Sequence, residues 1–366
     1  MEKIDTNIDF FNFSKMLSGS RKELVGCLER CLEHGNFILG SEVELFEDIF
    51  SRKVGSKYCV GVSNGTDALT AILTSLDLPP GSEVIVPAFT FISSASVISK
   101  AGLTPVFVDL APGSFSPSVD GIMNSCTGAT KAVIFVHLFG EYSDLSSLSA
   151  ACRDRGIHLI EDCAQSYGAP NGSFGIASSF SFFPAKNLGC LGDGGAVTTG
   201  DGGVDQRLRM IRKHGMSSKY NYEITGGNYR LDALQAAFLS VLIQKADEWI
   251  EKRRENARFY FNAIGDIENI VLPKKCSLHS FNQFTIRTSR RDDLKKFLYN
   301  NGIPSNIYYP APLCDYSAFA DSDGLLESRK TCDEVLSLPI YPGLKADELE
   351  YISHNINLFF NYGSKK

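Results

Sequence analysis

Between residues 58 and 199 the chain alternates short apolar runs with helical stretches, and few folds accept that pattern. The runs fall at 58–62, 83–87, 105–109, 132–137, 158–161, 178–183 and 195–199. Each is apolar nearly throughout instead of alternating, as in strands covered on both faces. Helices fit between several of them, at 66–76, at 93–100 and at 144–155 with Gly156 as a stop. Strands joined by helical crossovers make a mainly parallel sheet, so the pattern predicts an α/β domain with seven strands between helices. Ligands of such sheets sit at the carboxyl ends of the strands.

The pattern changes on either side. Residues 19–34 read as an amphipathic helix with Leu24, Cys27, Leu28, Cys31 and Leu32 on one face. A long helical pattern runs from about Leu231 to Ala263, followed by strand-like segments at 269–272 and 282–287. Helices at 292–301 and 346–359 complete a smaller α+β portion. We therefore expect a large domain over 1–250 and a smaller carboxyl-terminal domain over 251–366.

The net charge of −6 and the lack of a basic run leave a nucleic-acid role without its electrostatic footprint. No apolar stretch reaches the ~20 residues of a membrane helix, and the start, MEKIDTNIDFFNF, is acidic where a signal peptide is basic. The ten cysteines are scattered, with no Cys-x-x-Cys pair and no histidine cluster at metal spacing. That usage suits reduced thiols in the cytoplasm, without disulfides or a structural metal.

Three stretches carry groups that chemistry could use. In SFSFFPAKNLGCLGDGGAVTT, Lys186 stands between an aromatic strand and a glycine cluster. Taken alone it suits a surface loop equally well, since burying an unpaired ammonium costs several kcal/mol. In HLIEDCAQSYGA an apolar strand ends in Glu161 and Asp162, with Gln165 three residues on. These acids read either as solvated loop residues or as buried carboxylates facing a cation. GVSNGTDALTAIL passes from a strand through Gly65 and Thr66 into a helix, whose unsatisfied first N–H groups favour an anion. Ser181 offers a second hydroxyl. Pyridoxal phosphate asks for such a set: its aldehyde condenses with a lysine amine, its ring nitrogen pairs with an acid, and its phosphate sits on backbone amides.

With these residues in place, the chain resembles the nucleotide-sugar aminotransferase family (DegT/StrS type) of fold-type I pyridoxal-phosphate enzymes. HGNFILGSEVELFE, NGTDAL, VIVPAFTFISSA, HLFG, IEDCAQSYGA, SFFPAKNLGCLGDGGAV, RKHG, GGNYRLDALQAA and EVLSLPIYPGL occur in order at family-like spacing from about residue 35 onward. The resemblance implies that Lys186 bonds to the cofactor and shuttles a proton, while Asp162 protects the charge on the ring nitrogen. It implies Gln165 near the phenolic oxygen, Gly65, Thr66 and Ser181 on the phosphate, and Phe91 stacked on the ring. Asn228 would reach the phosphate of a neighbouring subunit, which makes the enzyme a homodimer with shared sites. His214, Arg230, Tyr308 and Tyr309 would face the sugar.

The implied reaction takes the amine of L-glutamate, releases 2-oxoglutarate and aminates a keto group on a nucleotide-linked sugar. The pairing of NYRLDALQAA with YYPAPL is similar to members acting on a 3-keto sugar, with a 4-keto-6-deoxy sugar as the alternative. Three features depart from the pattern: Glu141 stands where many relatives carry Gln, Cys314 where many 3-keto enzymes carry His, and the connection between Ala169 and Ser181 is short. A dehydratase of the same family would carry histidine at position 186. A non-catalytic nucleotide-sugar binding protein, the reading from another class, would need neither the lysine nor the acid.

Overall fold

The computed structural model describes residues 8–319 and 323–362. Helices α1 (Phe13–Leu17), α2 (Arg21–His34) and α3 (Ser41–Val54) precede the sheet. Strands β1 (Tyr58–Val62), β2 (Glu83–Pro87), β3 (Thr104–Val108), β4 (Thr130–Val136), β5 (His158–Asp162), β6 (Ala177–Ser181) and β7 (Gly195–Thr199) form it. Their connections carry α4 (Gly65–Leu76), α5 (Ser93–Lys100), α6 (Val119–Ser125) and α7 (Ser146–Asp154). The spatial order is β1-β7-β6-β5-β4-β2-β3. Pairing is parallel throughout except along β7, which runs antiparallel to both β1 and β6. The expected mainly parallel, seven-stranded α/β architecture is therefore present, with strand limits within two residues of those read from the sequence.

Reversal of β7 has a local consequence. Its first residue, Gly195, pairs with Val62 at the end of β1 and with Ser181 at the end of β6. The carboxyl edge of the sheet thus gathers the ends of β1, β5 and β6 and the start of β7. A Cβ on Gly195 would come within 2.5 Å of the Asn64 carbonyl, so only glycine lets β7 begin so close to the end of β1.

Beyond the sheet lie α8 (Gly202–Ile211), a small hairpin of β8 (Met216–Ser218) and β9 (Asn221–Tyr222), α9 (Ala233–Leu242) and α10 (Ala246–Ile264). The chain ends with β10 (Phe284–Arg287), α11 (Arg291–Asn300), α12 (Leu326–Glu334), β11 (Val335–Leu338) and α13 (Ala346–Tyr362). The single long helix expected from 231 to 263 is thus two. Residues 243–245 close as turns just before the chain passes from one core to the other, Ala246 and Trp249 at the start of α10 still packing with α9. Leu239 and Leu242 of α9 pack with Phe46 and Phe50 of α3, whereas Ala257, Tyr260 and Ile264 of α10 join Ile352 and Ile356 of α13.

The α3 helix also lay outside the expected elements. Val43, Phe46 and Phe50 are its buried face, and Gly55 at φ +71° ends it. In α2 the buried side is Leu24, Cys27 and Cys31, while Leu28 and Leu32 remain exposed in this single chain. All ten cysteines are free thiols.

Candidate active site

The site grows from the carboxyl edge of the sheet. After β1 the chain enters α4 through Asn64, whose Oδ1 accepts the Asp67 N–H at 2.8 Å and caps the helix. The N–H groups of Gly65 and Thr66 have no bonding partner among the described residues. A Cβ on Gly65 would stand 2.8 Å from Ser181 Cβ, so glycine is what allows the helix start to close against the end of β6. Free N–H groups, the positive end of the helix dipole and two hydroxyls therefore meet at one point.

Asp162 ends β5 and is 5% exposed. Its Oδ2 accepts the Ser94 hydroxyl at 2.8 Å, and its Oδ1 accepts the Ala164 N–H at 3.1 Å and the Ser179 hydroxyl at 3.4 Å. Lys186 follows β6 in a turn closed by its own N–H on the Phe183 carbonyl at 2.8 Å. Its amine makes no hydrogen bond or ion pair with any described residue. Burial pushes that amine down to about 8, against the opposing pull of the Asp162 charge. An unpartnered amine that sheds its proton near 8 becomes a nucleophile as pH rises through that value.

Both groups line one cavity of about 580 Å³. Gly65, Thr66, Phe91, Gln165, Ser181, Tyr308 and Tyr309 line it as well. Gln165 Oε1 accepts the Phe139 N–H at 2.8 Å, and its Nε2 donates to the Tyr309 hydroxyl at 3.3 Å. Burial pushes the Tyr309 phenol up, keeping it protonated. Phe91 is 52% exposed, an unusual state for phenylalanine, and lies over the cavity with its ring centroid 6.1 Å from that of Tyr309.

Three expected residues stand elsewhere. Asn228 and Arg230 line a second cavity of about 360 Å³, which shares Asn64 and Asp193 with the first. His214 lines neither; it is exposed, in a turn at φ +65°. Glu141 and Cys314, the two departures from the family pattern, also lie outside both linings.

The structure adds groups that the sequence did not single out. Ser94 and Ser179 hold Asp162, and Phe183, Asp193, Asn282 and Gln283 line the main cavity. Among the described residues one metal-type cluster occurs, His137, Glu161 and Cys163, with ligand atoms within 4.8 Å of one another. Its acid is already committed: Glu161 accepts N–H groups of Gly172, Phe174 and Gly175 and bonds His137 Nε2. Burial also pushes the Cys163 thiol well up, away from the thiolate a metal would need.

The unpartnered amine, the hydrogen-bonded acid and the glycine-backed helix start fit pyridoxal phosphate, and together with the fold they define an aminotransferase that uses it. The chain belongs to the DegT/DnrJ/EryC1/StrS aminotransferase family, whose model matches residues 19–357. It is 38% identical to a pleiotropic regulatory protein of Geobacillus stearothermophilus, over 97% of this chain and 99% of that one. It is 37% identical to a UDP-N-acetyl-3-dehydro-alpha-D-glucosamine 3-aminotransferase of Acidithiobacillus ferrooxidans, over 91% and 92% of the two chains. The crystal structure of DesV from S. venezuelae superposes with a TM-score of 0.93 at 34% identity, covering 96% of this chain and 98% of that one. Among the described residues no helix is long and apolar enough to cross a membrane.

Proposed function

We propose that this enzyme transfers the amino group of L-glutamate to a nucleotide-linked sugar carrying a keto group at C3, giving the amino sugar and 2-oxoglutarate. The observation that carries the reading is the unpartnered Lys186 amine, its proton loosened by burial, sharing a cavity with the buried Asp162 carboxylate. Support for the keto position comes from the 3-dehydro sugar named for the Acidithiobacillus relative.

Bound pyridoxal phosphate supplies an electron sink for proton loss at the amine-bearing carbon. The residues around it divide the remaining work. The N–H groups of Gly65 and Thr66, with the hydroxyls of Thr66 and Ser181, would bind the phosphate. Asp162 would hold a proton at the ring nitrogen, its own orientation kept by Ser94 and the Ala164 N–H. Lys186 Nζ would take a proton from one carbon and return it to another. Phe91 would cover the ring face, and Gln165 with Tyr309 would fix the phenolic side. Tyr308 faces the same cavity, where a sugar would enter.

The same reading makes the protein a cytoplasmic homodimer. Asn228 and Arg230 border the second cavity beside Asn64, where a partner's phosphate would be in reach of Asn228. Exposed Val25, Leu28 and Leu32 leave α2 an apolar row for a second copy to cover. We also propose the division at residue 250, within α10, between a cofactor-binding domain and a smaller one. The core of the smaller one is built from residues 257–360 together with Ile8.

The test is the absorbance spectrum of the purified enzyme before and after L-glutamate. A visible band that moves to the near ultraviolet is expected, and 3-keto rather than 4-keto nucleotide sugars should restore it. Restoration by 4-keto sugars alone would move the proposal to C4. An enzyme without a band after reconstitution would sink the role given to Lys186.

A further inference from the structure

The turn at residues 281–282 is held by an unusual device. Arg253 of α10 is fully buried and has no carboxylate partner among the described residues. Its Nη1 donates to three carbonyls, those of Ile340 at 2.8 Å, Phe281 at 3.1 Å and Asn282 at 3.4 Å. Its Nε and Nη2 have no partner among the described residues. Burial alone pushes the guanidinium down to about 9. Filling this volume would not require a charge, and an unpaired one is costly to bury.

The arginine grips a strained turn. Phe281 adopts φ +44°, a region that bulky residues avoid. Its ring stacks on His279 with centroids 3.9 Å apart, and its N–H donates to His279 Nδ1 at 2.9 Å. Such backbone persists only where its surroundings over-determine it.

Asn282 is what the turn presents. Its Nδ2 lies 3.3 Å from the Ala185 carbonyl and 3.2 Å from Asn187 Oδ1. Asn187 Nδ2 in turn donates to the carbonyls of Tyr167 at 3.0 Å and Ser280 at 3.1 Å. Residues 185 and 187 flank Lys186, so the turn holds the backbone carbonyl on one side of the lysine and the Asn187 side chain on the other.

We infer that Asn282 is a positioning residue for Lys186, clamped by Arg253 through the strained Phe281–Asn282 turn. The carboxyl-terminal part of the chain thereby sets where the amine stands over the cofactor. This inference rests on the role proposed above for Lys186.

The test uses holoenzyme carrying Asn282→Ala. Displacing a reacting group by about 1 Å can cost two powers of ten, and a partly loosened one about tenfold. We expect kcat to fall about tenfold or more with KM for L-glutamate within about twofold of the parent. The visible circular dichroism of the bound cofactor, which reports its orientation, should fall to about half or less at full occupancy. Arg253→Lys should lower both readouts in the same direction, and adding it to Asn282→Ala should add little, because both act through one turn. If Asn282→Ala does not fold, the isosteric Asn282→Asp takes its place, with the same losses expected. Parental kcat and dichroism in the folded Asn282 variant, or a loss confined to KM, would overturn the inference. A parent enzyme without a visible band, or an active Lys186→Ala variant, would instead overturn the role of the lysine and leave a different signature.

Discussion

Glu161 and Asp162 are neighbours on β5, both buried, and they do opposite things. Glu161, on one side of the strand, has no exposure and four hydrogen-bond donors: three loop amides and His137. Burial alone would raise its carboxyl, yet the bond and charge of His137 and the Gly175 and Gly172 amides hold it below the usual carboxylate range. Asp162, on the other side, is held by two hydroxyls and one amide and still borders the cavity of Lys186. Burial therefore does not separate the acid that holds a loop from the acid that borders the cavity. What separates them is whether the carboxylate's partners close around it or leave it facing a space where a ligand fits.

Substitution should split the pair along the same line. Lys186→Ala carries the largest expected effect, a loss of transamination of about a thousandfold or more, since it removes the proposed nucleophile and proton carrier. Parental turnover in that variant would end the comparison, because the cavity would then not be where chemistry occurs. Next, Asp162→Asn should cost about a hundredfold in kcat with the melting temperature nearly unchanged, the amide being unable to hold the ring-nitrogen proton. Glu161→Gln should show the reverse. Breaking a buried ionic cluster costs about 3 kcal/mol, so the melting temperature should drop by several degrees while kcat per folded molecule stays near the parent. If Asp162→Asn melts early and Glu161→Gln is inactive, the two roles are exchanged.

Two pH effects sharpen the contrast. The folded carboxyl of Glu161 lies below its unfolded value of about 4.3, so its stabilisation is full above that pH. It is lost as pH falls through the lower folded value. Glu161→Gln should flatten the acid limb of stability accordingly. The smallest effect belongs to Lys186. Its amine titrates near 8, so recapture of the cofactor by stripped enzyme should slow about tenfold per pH unit below 8, as the neutral fraction shrinks. A recapture rate flat between pH 6 and 8 would mean that the lysine is not the attacking group.

Much of this was legible in the sequence, and the reasons are local. The seven strands announce themselves because a buried parallel strand must be apolar on both faces. Lys186, Asp162 and Gly65 stand at strand or helix ends where the local pattern changes, so each leaves a mark within a few residues. Asn282, Asn187 and Arg253 leave none. They meet through carbonyls and amides from segments far apart in the chain, and such bonds have no spacing rule. The break between α9 and α10 was hidden for another reason: both halves keep helical periodicity, and only the two cores they serve decide that the chain must bend. The second cavity around Asn228 shows a third limit, since Ile38, Asn64, Asp193 and Asn228 meet there from segments far apart in the chain.

The reversed direction of β7 also bears on where this chain can change length. Because β7 starts at the site's own edge, the lysine segment at 182–194 returns straight into the sheet without a crossover helix. The lysine rides on a short span anchored at both ends by paired strands, so added residues there would shift the amine itself. The connection from Asp162 to β6 carries no helix either; Ala164 and Gln165 at its start line the cavity, but its later part, 172–175, closes on Glu161. Length can change in that later part at the cost of Glu161's partners, leaving the groups at the cavity in register.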